Sequence, residues 1–215
     1  MSAPLSKADY VYRALLEEIR TARLPGGTAL RAAPIAQRLG VSITPVREAL
    51  RRLERDRLIS YEPHHGATVV DLGDGALQEF YGVRAALEGL GARLAAARIT
   101  PAQLAELRVL HESMVRDHAE GRCEGLGERS EEFHLRITDI GGPEFLGQHA
   151  RGVRAGVPVP AGHSLWLDPV LAQGQLDAHE GILRALEAGD GPAAERLMSG
   201  HIDAAARHRI GTRPP

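Results

Sequence analysis

Residues 41–59 read VSITPVREALRRLERDRLI, and the fold turns on them. Val46, Leu50 and Leu53 recur at helical spacing with Ala49 between them, so one face of a helix is apolar. Arg47, Arg51, Arg52 and Arg55 fall largely on the other faces. Pro45 suits the first helical turn, and Ser42 or Thr44 can cap it. A single basic helix of this kind is most often a solvated surface, so its meaning depends on what flanks it.

Immediately upstream, PIAQRL at 34–39 predicts a short helix with Pro34 in its first turn, and Gly40 stands where a left-handed C-cap is wanted. Two short helices joined by a tight glycine-containing turn predict a helix-turn-helix, whose second helix can enter a DNA major groove. Further upstream, residues 8–22 place Val11, Leu15 and Ile19 on one helical stripe, with Tyr12, Leu16 and Ala22 alongside. Leu24-Pro25-Gly26-Gly27 breaks that helix. Downstream, two β-like runs at 58–61 and 67–70 flank Glu62-Pro63-His64-His65-Gly66, a hairpin with a glycine at its tip. A helix-turn-helix followed by a hairpin is a winged helix.

The chain beyond it has another character. Asp71 to Gly75 is Asp/Gly-rich and suits a linker. Residues 76–97 then carry Leu77, Phe80, Val83, Leu87, Leu90 and Leu94 at helical spacing. Thr100-Pro101 starts another helix, capped by Thr100, with Leu104, Leu107 and Met114 on its buried side and Gly121 at its end. Helices are predicted at roughly 126–140, 144–154 and 168–188, with a Pro/Gly loop at 155–163. A turn at 189–192 leads to a last helix reaching about 208. The predicted fold is therefore mostly α: a winged helix-turn-helix at 1–72 and an antiparallel all-α bundle at 73–215.

Composition agrees and excludes alternatives. Of 215 residues 43% are hydrophobic and 25% charged, which is ordinary for a soluble domain, while only 4% are aromatic, so the core must rest on Leu, Ala, Val and Ile. Cys123 is the only cysteine, which rules out an intrachain disulfide. No signal-like stretch opens the sequence, and no apolar run approaches the roughly 18 residues of a membrane span. These features predict a cytoplasmic protein with no membrane partner. Residues 1–71 hold 11 Lys and Arg against 8 Asp and Glu, whereas the remainder holds 15 against 20. A basic N-terminal part fits a nucleic-acid module.

The ordered run Leu24-Pro25-Gly26-Gly27, Ile35 to Ser42, Thr44 to Leu50 and Gly66 closely resembles the GntR family of transcriptional regulators. The resemblance implies that Ser42, Thr44 and Arg47 meet phosphates and base edges of operator DNA. An arginine at the start of a recognition helix can grip guanine O6 and N7 in a bidentate fork. It also implies that His65 and Gly66 approach the minor groove from the wing tip. Arg51 and Arg52 are either phosphate contacts or solvated charges. Ile43 stands where members commonly carry Arg, and Ala32-Ala33 where they often carry an acidic-basic pair. Either the implied operator differs from the family's usual one or the implied binding is weaker.

The C-terminal part resembles the FCD ligand-binding domain of the FadR branch. Val83 to Glu88, Phe133-His134, His179 to Leu183, Ala185 to Asp190 and Met198 to His201 carry that resemblance. It implies a homodimer on a roughly palindromic operator, a small carboxylate effector in the bundle, and a divalent metal such as zinc or nickel held by His134, His179 and His201. Three ligands leave positions open for water or an effector oxygen. Members usually add an Asp four residues before the first histidine, where this chain has Ser130, a poor ligand without charge. Glu131 is one residue off, rotated about 100° around the helix, so the site either binds metal weakly or holds an effector without metal. Arg84 is the candidate effector clamp, and the competing reading pairs it with Glu88 four residues on. His111, His118, His149, His163 and His208 are read as surface residues.

Two rival functions follow from the same residues. One is a small metal-dependent enzyme, which lacks a convincing general base or nucleophile motif. The other is a DNA-binding protein without an effector, which requires a filled bundle core. The favoured reading is a non-enzymatic, effector-controlled transcriptional regulator.

Overall fold

The computed structural model describes residues 6–20, 23–62, 66–155 and 165–211. The chain forms two compact units, one holding the residues up to Gly73 and the other beginning at Asp74.

The first unit contains α1 (Lys7–Arg20), β1 (Ala29–Leu30), α2 (Ala32–Leu39), α3 (Ile43–Arg55), β2 (Ile59–Glu62) and β3 (Gly66–Val69). Ser6 and Asp9 close the start of α1 reciprocally: the Asp9 amide donates to the Ser6 hydroxyl at 3.0 Å, and the Ser6 amide donates to the Asp9 carboxylate at 3.3 Å. Gly40 ends α2 with φ 66°, a left-handed conformation that only glycine adopts without penalty, and this turns the chain directly into α3. The predicted apolar stripes meet in one core. Val11, Leu15 and Ile19 of α1 pack with Val46, Ala49, Leu50 and Leu53 of α3 and with Leu58, Ile59, Ala67 and Val69 of the hairpin. The sheet has the order β1-β3-β2, with β3 antiparallel to both neighbours. The two-residue strand β1 has no alternating pattern and was not legible from sequence; Ala29 pairs with Thr68 and Leu30 with Ala67.

The second unit contains α4 (Asp74–Ala96), α5 (Pro101–Ala119), α6 (Leu126–Gly141), α7 (Leu146–Ala155), α8 (Pro169–Glu187) and α9 (Gly191–Gly211). Thr100 caps α5, as its sequence predicts, and Gln103 completes a capping box with it. Asp168 caps α8, accepting from the amides of Val170 and Leu171 at 2.8 and 3.1 Å.

The buried face of α4 differs from its leucine pattern. Val83 is 47% exposed, whereas Phe80, Tyr81, Ala85, Glu88, Gly89, Gly91, Ala92, Ala95 and Ala96 are buried. The reason is close helix approach, which favours small residues over large ones. A Cβ on Gly141 would lie 2.2 Å from the Gly91 carbonyl oxygen, and one on Gly91 would lie 2.9 Å from Thr138 Cα. The α4 and α6 backbones therefore touch, and this crossing brings Glu88 of α4 to His134 of α6.

Candidate functional site

In the first unit, the start of α3 is presented to solvent. Ser42 occupies the N-cap position in an extended conformation, but its hydroxyl makes no capping bond, and no acidic residue sits in the first turn. Neither Ser42 nor Thr44 caps this helix. Its first amides keep the partial positive charge of a helix N-terminus, which suits an anionic phosphate. Ser42, Ile43, Thr44, Arg47 and Arg51 are exposed on this side, opposite buried Val46, Leu50 and Leu53. Among the described residues, neither Arg47 nor Arg51 is in an ion pair, so both guanidinium groups face outward with their donors open.

Arg52 turns the other way. It pairs with Asp9 and lies over the Tyr12 ring at 4.4 Å, and it fastens α3 to α1 rather than reaching outward. The Ser6 hydroxyl and Arg52 hold the Asp9 carboxyl down at about 2. At the wing, Gly66 is exposed at the start of β3 with φ 79° and open space around its α-carbon. His65 lies outside the described residues.

In the second unit, three helices bring His134 (α6), His179 (α8) and His201 (α9) together in the core. His134 Nε2 lies 3.3 Å from His179 Nε2 and 3.1 Å from His201 Nε2. The rings are 2%, 0% and 7% exposed, so water cannot readily solvate a charge on them. Burial pushes all three below the usual histidine range, His134 to about 4 and His179 and His201 well down as well. The rings are therefore neutral near pH 7.

Glu88 orients the cluster. Its Oε2 lies 2.7 Å from His134 Nδ1, while Arg84 and Arg154 reach the same carboxylate at 2.9 and 2.7 Å. Burial pushes the Glu88 carboxyl up, but Arg154, Arg84 and the His134 hydrogen bond outweigh it and hold it well below its usual range. An ionised carboxylate only accepts, so His134 Nδ1 carries the proton and Nε2 presents its lone pair to the other two rings. One lone pair cannot satisfy two further imidazoles, and the Nδ1 atoms of His179 and His201 have no hydrogen-bond partner.

A divalent ion fits this donor set. Nitrogens about 2.0–2.1 Å from zinc lie roughly 3.0–3.4 Å apart in tetrahedral or facial arrangements, which is the spacing from His134 to each of the other two rings, and the three ligand atoms all lie within 4.8 Å of one another. The cluster can thus coordinate a metal ion through three neutral nitrogens. Ser130 lies one turn before His134, half-buried, and the cluster contains no carboxylate ligand atom among the described residues.

The structure places other candidates differently. Arg84 takes the paired arrangement with Glu88. His111 is buried, not on the surface: it is 6% exposed and its ring centroid lies 6.2 Å from that of His179, with Nε2 3.7 Å from Glu180. The α5 turn that carries His111 faces α8, which a leucine-based reading of α5 did not reveal. His149 is exposed and His118 and His208 are half-buried, while His163 lies outside the described residues. Sequence reasoning missed Arg154, which lies near the end of α7 in a polar stretch. Its only sequence signal was the basic residue in that helix's last turn. No helix among the described residues is long and apolar enough to cross a membrane.

Comparison with known proteins matches both units. Residues 7–69 fit the pattern of bacterial regulatory proteins of the gntR family, and residues 79–204 fit the FCD domain. The chain is 31% identical over 201 residues to a probable D-xylose utilization operon transcriptional repressor of Paenarthrobacter nicotinovorans, covering 92% of this chain and 86% of that protein. The solved structure of E. coli McbR/YncC superposes with a TM-score of 0.76 at 27% identity, over 94% of this chain and 95% of that one. A putative GntR regulator from Rhodococcus sp. RHA1 shares the fold, with a TM-score of 0.73 at 23% identity and 98% of this chain covered.

Proposed function

The chain belongs to the gntR family of bacterial regulatory proteins, carries an FCD domain and is a DNA-binding transcriptional regulator rather than an enzyme, and from that premise we propose that a small carboxylate effector, held at the histidine cluster, sets its affinity for operator DNA. Within the family we assign it to the FadR branch. Residues 1–72 are the DNA-binding domain, and residues 73–215 the effector-binding and dimerisation domain. Two copies present two α3 helices to a roughly palindromic operator. Ser42, Thr44, Arg47 and Arg51 contact the major groove and its phosphates, and His65 and Gly66 the minor groove.

His134, His179 and His201 would hold a zinc or nickel ion, which when bound supplies open coordination positions for a carboxylate oxygen. Glu88 fixes the His134 ring, and Arg84 supports the anion. The carrying observation is the charge imbalance around the cluster: three neutral imidazoles adjoin two guanidinium groups, each only 11% exposed, that share the buried Glu88 carboxylate. With a divalent cation added, the interior carries excess positive charge that an anionic ligand neutralises. A ligand that favours one bundle conformation shifts DNA affinity by its differential binding to the two states.

The test is fluorescence anisotropy of the full chain on its own promoter fragment and on random duplex, with and without a panel of small carboxylates. Specific binding that at least one carboxylate shifts severalfold is expected. Equal affinity for both duplexes overturns the operator assignment. Specific binding that no carboxylate moves supports an effector-independent regulator instead.

A further inference from the structure

The polar stripe of α4 does not end at Glu88. It continues toward the helix N-terminus through Arg84 and Tyr81, four and seven residues back and on the same face. The stripe of α9 that carries His201 likewise continues through Ala205 to Arg209. The two helices run antiparallel: the Ser199 hydroxyl donates to the Ala85 carbonyl at 3.1 Å, and Gly89 faces both Ser199 and Glu195. Tyr81 and Arg209 therefore lie at the same end of the seam. Eight residues of α9 separate Arg209 from His201, about 12 Å along the helix axis.

At that end, buried polar atoms lack partners. Tyr81 is 1% exposed, yet its hydroxyl makes no hydrogen bond, and neither does Nε of Arg209. The Arg84 guanidinium stands 5.3 Å from the centre of the Tyr81 ring. Burial lowers the affinity of Arg209 for its proton, Tyr81 partly offsets this, and Arg84 adds to it. No carboxylate contributes to that balance. Leaving a hydroxyl and a guanidinium nitrogen buried without partners is costly, and an oxyanion would satisfy both together.

We propose that Tyr81, Arg84 and Arg209 form a second anion subsite, and that the effector is an elongated dianion with one carboxylate at the histidine cluster and a second oxyanion, carboxylate or phosphoryl, at this end. The inference rests on the reading of the cluster as the effector site. It specifies ligand length as well as charge, since a compact monocarboxylate cannot span both groups.

The experiment is calorimetric titration of the full, zinc-loaded chain at fixed chloride with three probes: inorganic phosphate, sulfate and acetate. Wild type is compared with Tyr81→Phe, Arg209→Lys and Arg209→Gln. Phosphate and sulfate are expected to bind wild type, roughly tenfold more weakly to Tyr81→Phe and undetectably to Arg209→Gln, with Arg209→Lys intermediate. Acetate binding at the histidine cluster and zinc content are expected to stay at wild-type values in all three variants. Tyr81→Phe removes one oxygen and keeps the ring packing, so it reports even if Arg209→Gln folds poorly. A subsite that selects phosphoryl groups binds phosphate and sulfate above acetate, and one that selects carboxylates shows a second acetate site lost in Arg209→Gln. Identical titrations of wild type and both Arg209 variants, or no anion bound near Arg209 in wild type, overturn the proposal. Anion binding that depends on Arg209 while acetate fails at the cluster keeps this subsite and removes the cluster reading instead.

Discussion

Replacing Glu88 by Gln keeps the side-chain shape and removes one charge. In the structure that charge faces Arg84, Arg154 and His134, with the Glu88 side chain 1% exposed. Deleting one partner of a buried ion pair typically costs about 3–5 kcal/mol, because the remaining charge stays buried without compensation. Two guanidinium groups are left here, though each is itself 11% exposed, which recovers part of the loss through water. A destabilisation of about 3 kcal/mol is expected from urea unfolding of the metal-free protein. The second effect is on the metal. Loss of an outer carboxylate that orients a ligating histidine usually weakens metal affinity by about 10–100-fold. Competition titration against a chromophoric chelator reads that directly. A Glu88→Gln chain that unfolds within about 1 kcal/mol of wild type and binds zinc equally well would refute the claim that Glu88 organises the site.

Three further outcomes follow from the same geometry. Arg47→Ala is expected to weaken specific operator binding by about 1–3 kcal/mol, and Arg51→Ala to weaken all duplexes alike and reduce the salt dependence by about one charge; anisotropy across a salt series separates them, and unchanged operator affinity in Arg47→Ala removes that residue from the interface. Gly141→Ala is expected to cost about 1–3 kcal/mol and to weaken metal binding, because its Cβ would press on the Gly91 carbonyl, whereas Gly152→Ala, with nothing within 4 Å, should not destabilise; equal thermal midpoints for the two variants contradict the helix contact. The metal-free protein should lose stability as pH falls from about 6.5 to about 4, the window between the ordinary histidine value and that of buried His134. There the unfolded chain binds protons that the folded core, with His134 facing Glu88, Arg84, Arg154, His179 and His201 and with His111 behind His179, excludes. The His134 share alone is about 3 kcal/mol, and a flat urea midpoint across that range argues against buried neutral rings.

The winged helix was legible because its decisive residues act locally. Gly40 fixes a turn, Pro45 suits a first helical turn, and the Val46, Leu50 and Leu53 stripe declares one buried face. The bundle was legible as helices but less so in its packing. In α4 the leucines suggested a buried face containing Val83, while the actual contacts with α6 and α9 run through Ala85, Gly89, Gly91 and Ala92. Small residues at a close crossing carry little hydrophobic signal, so periodicity points elsewhere. The three histidines were reachable only through the family resemblance, since nothing in a single helix shows that residues 45 and 67 positions apart will meet. Arg154 was visible only as a basic residue in the last turn of α7, because its partner Glu88 lies 66 residues away on α4. Glu88 was visible as the helical neighbour of Arg84, but its bond to His134 depends on the α4–α6 contact.

The central claim is that the His134, His179 and His201 imidazoles form a metal centre within an effector domain. Its most direct test is the metal content of the full chain purified without chelators, by elemental mass spectrometry, beside a His134→Ala control. About one zinc or nickel ion per chain, lost in the control, is the outcome expected from three converging neutral nitrogens. No bound metal, even after incubation with either ion, would contradict it and leave the cluster as a set of buried, hydrogen-bonded rings.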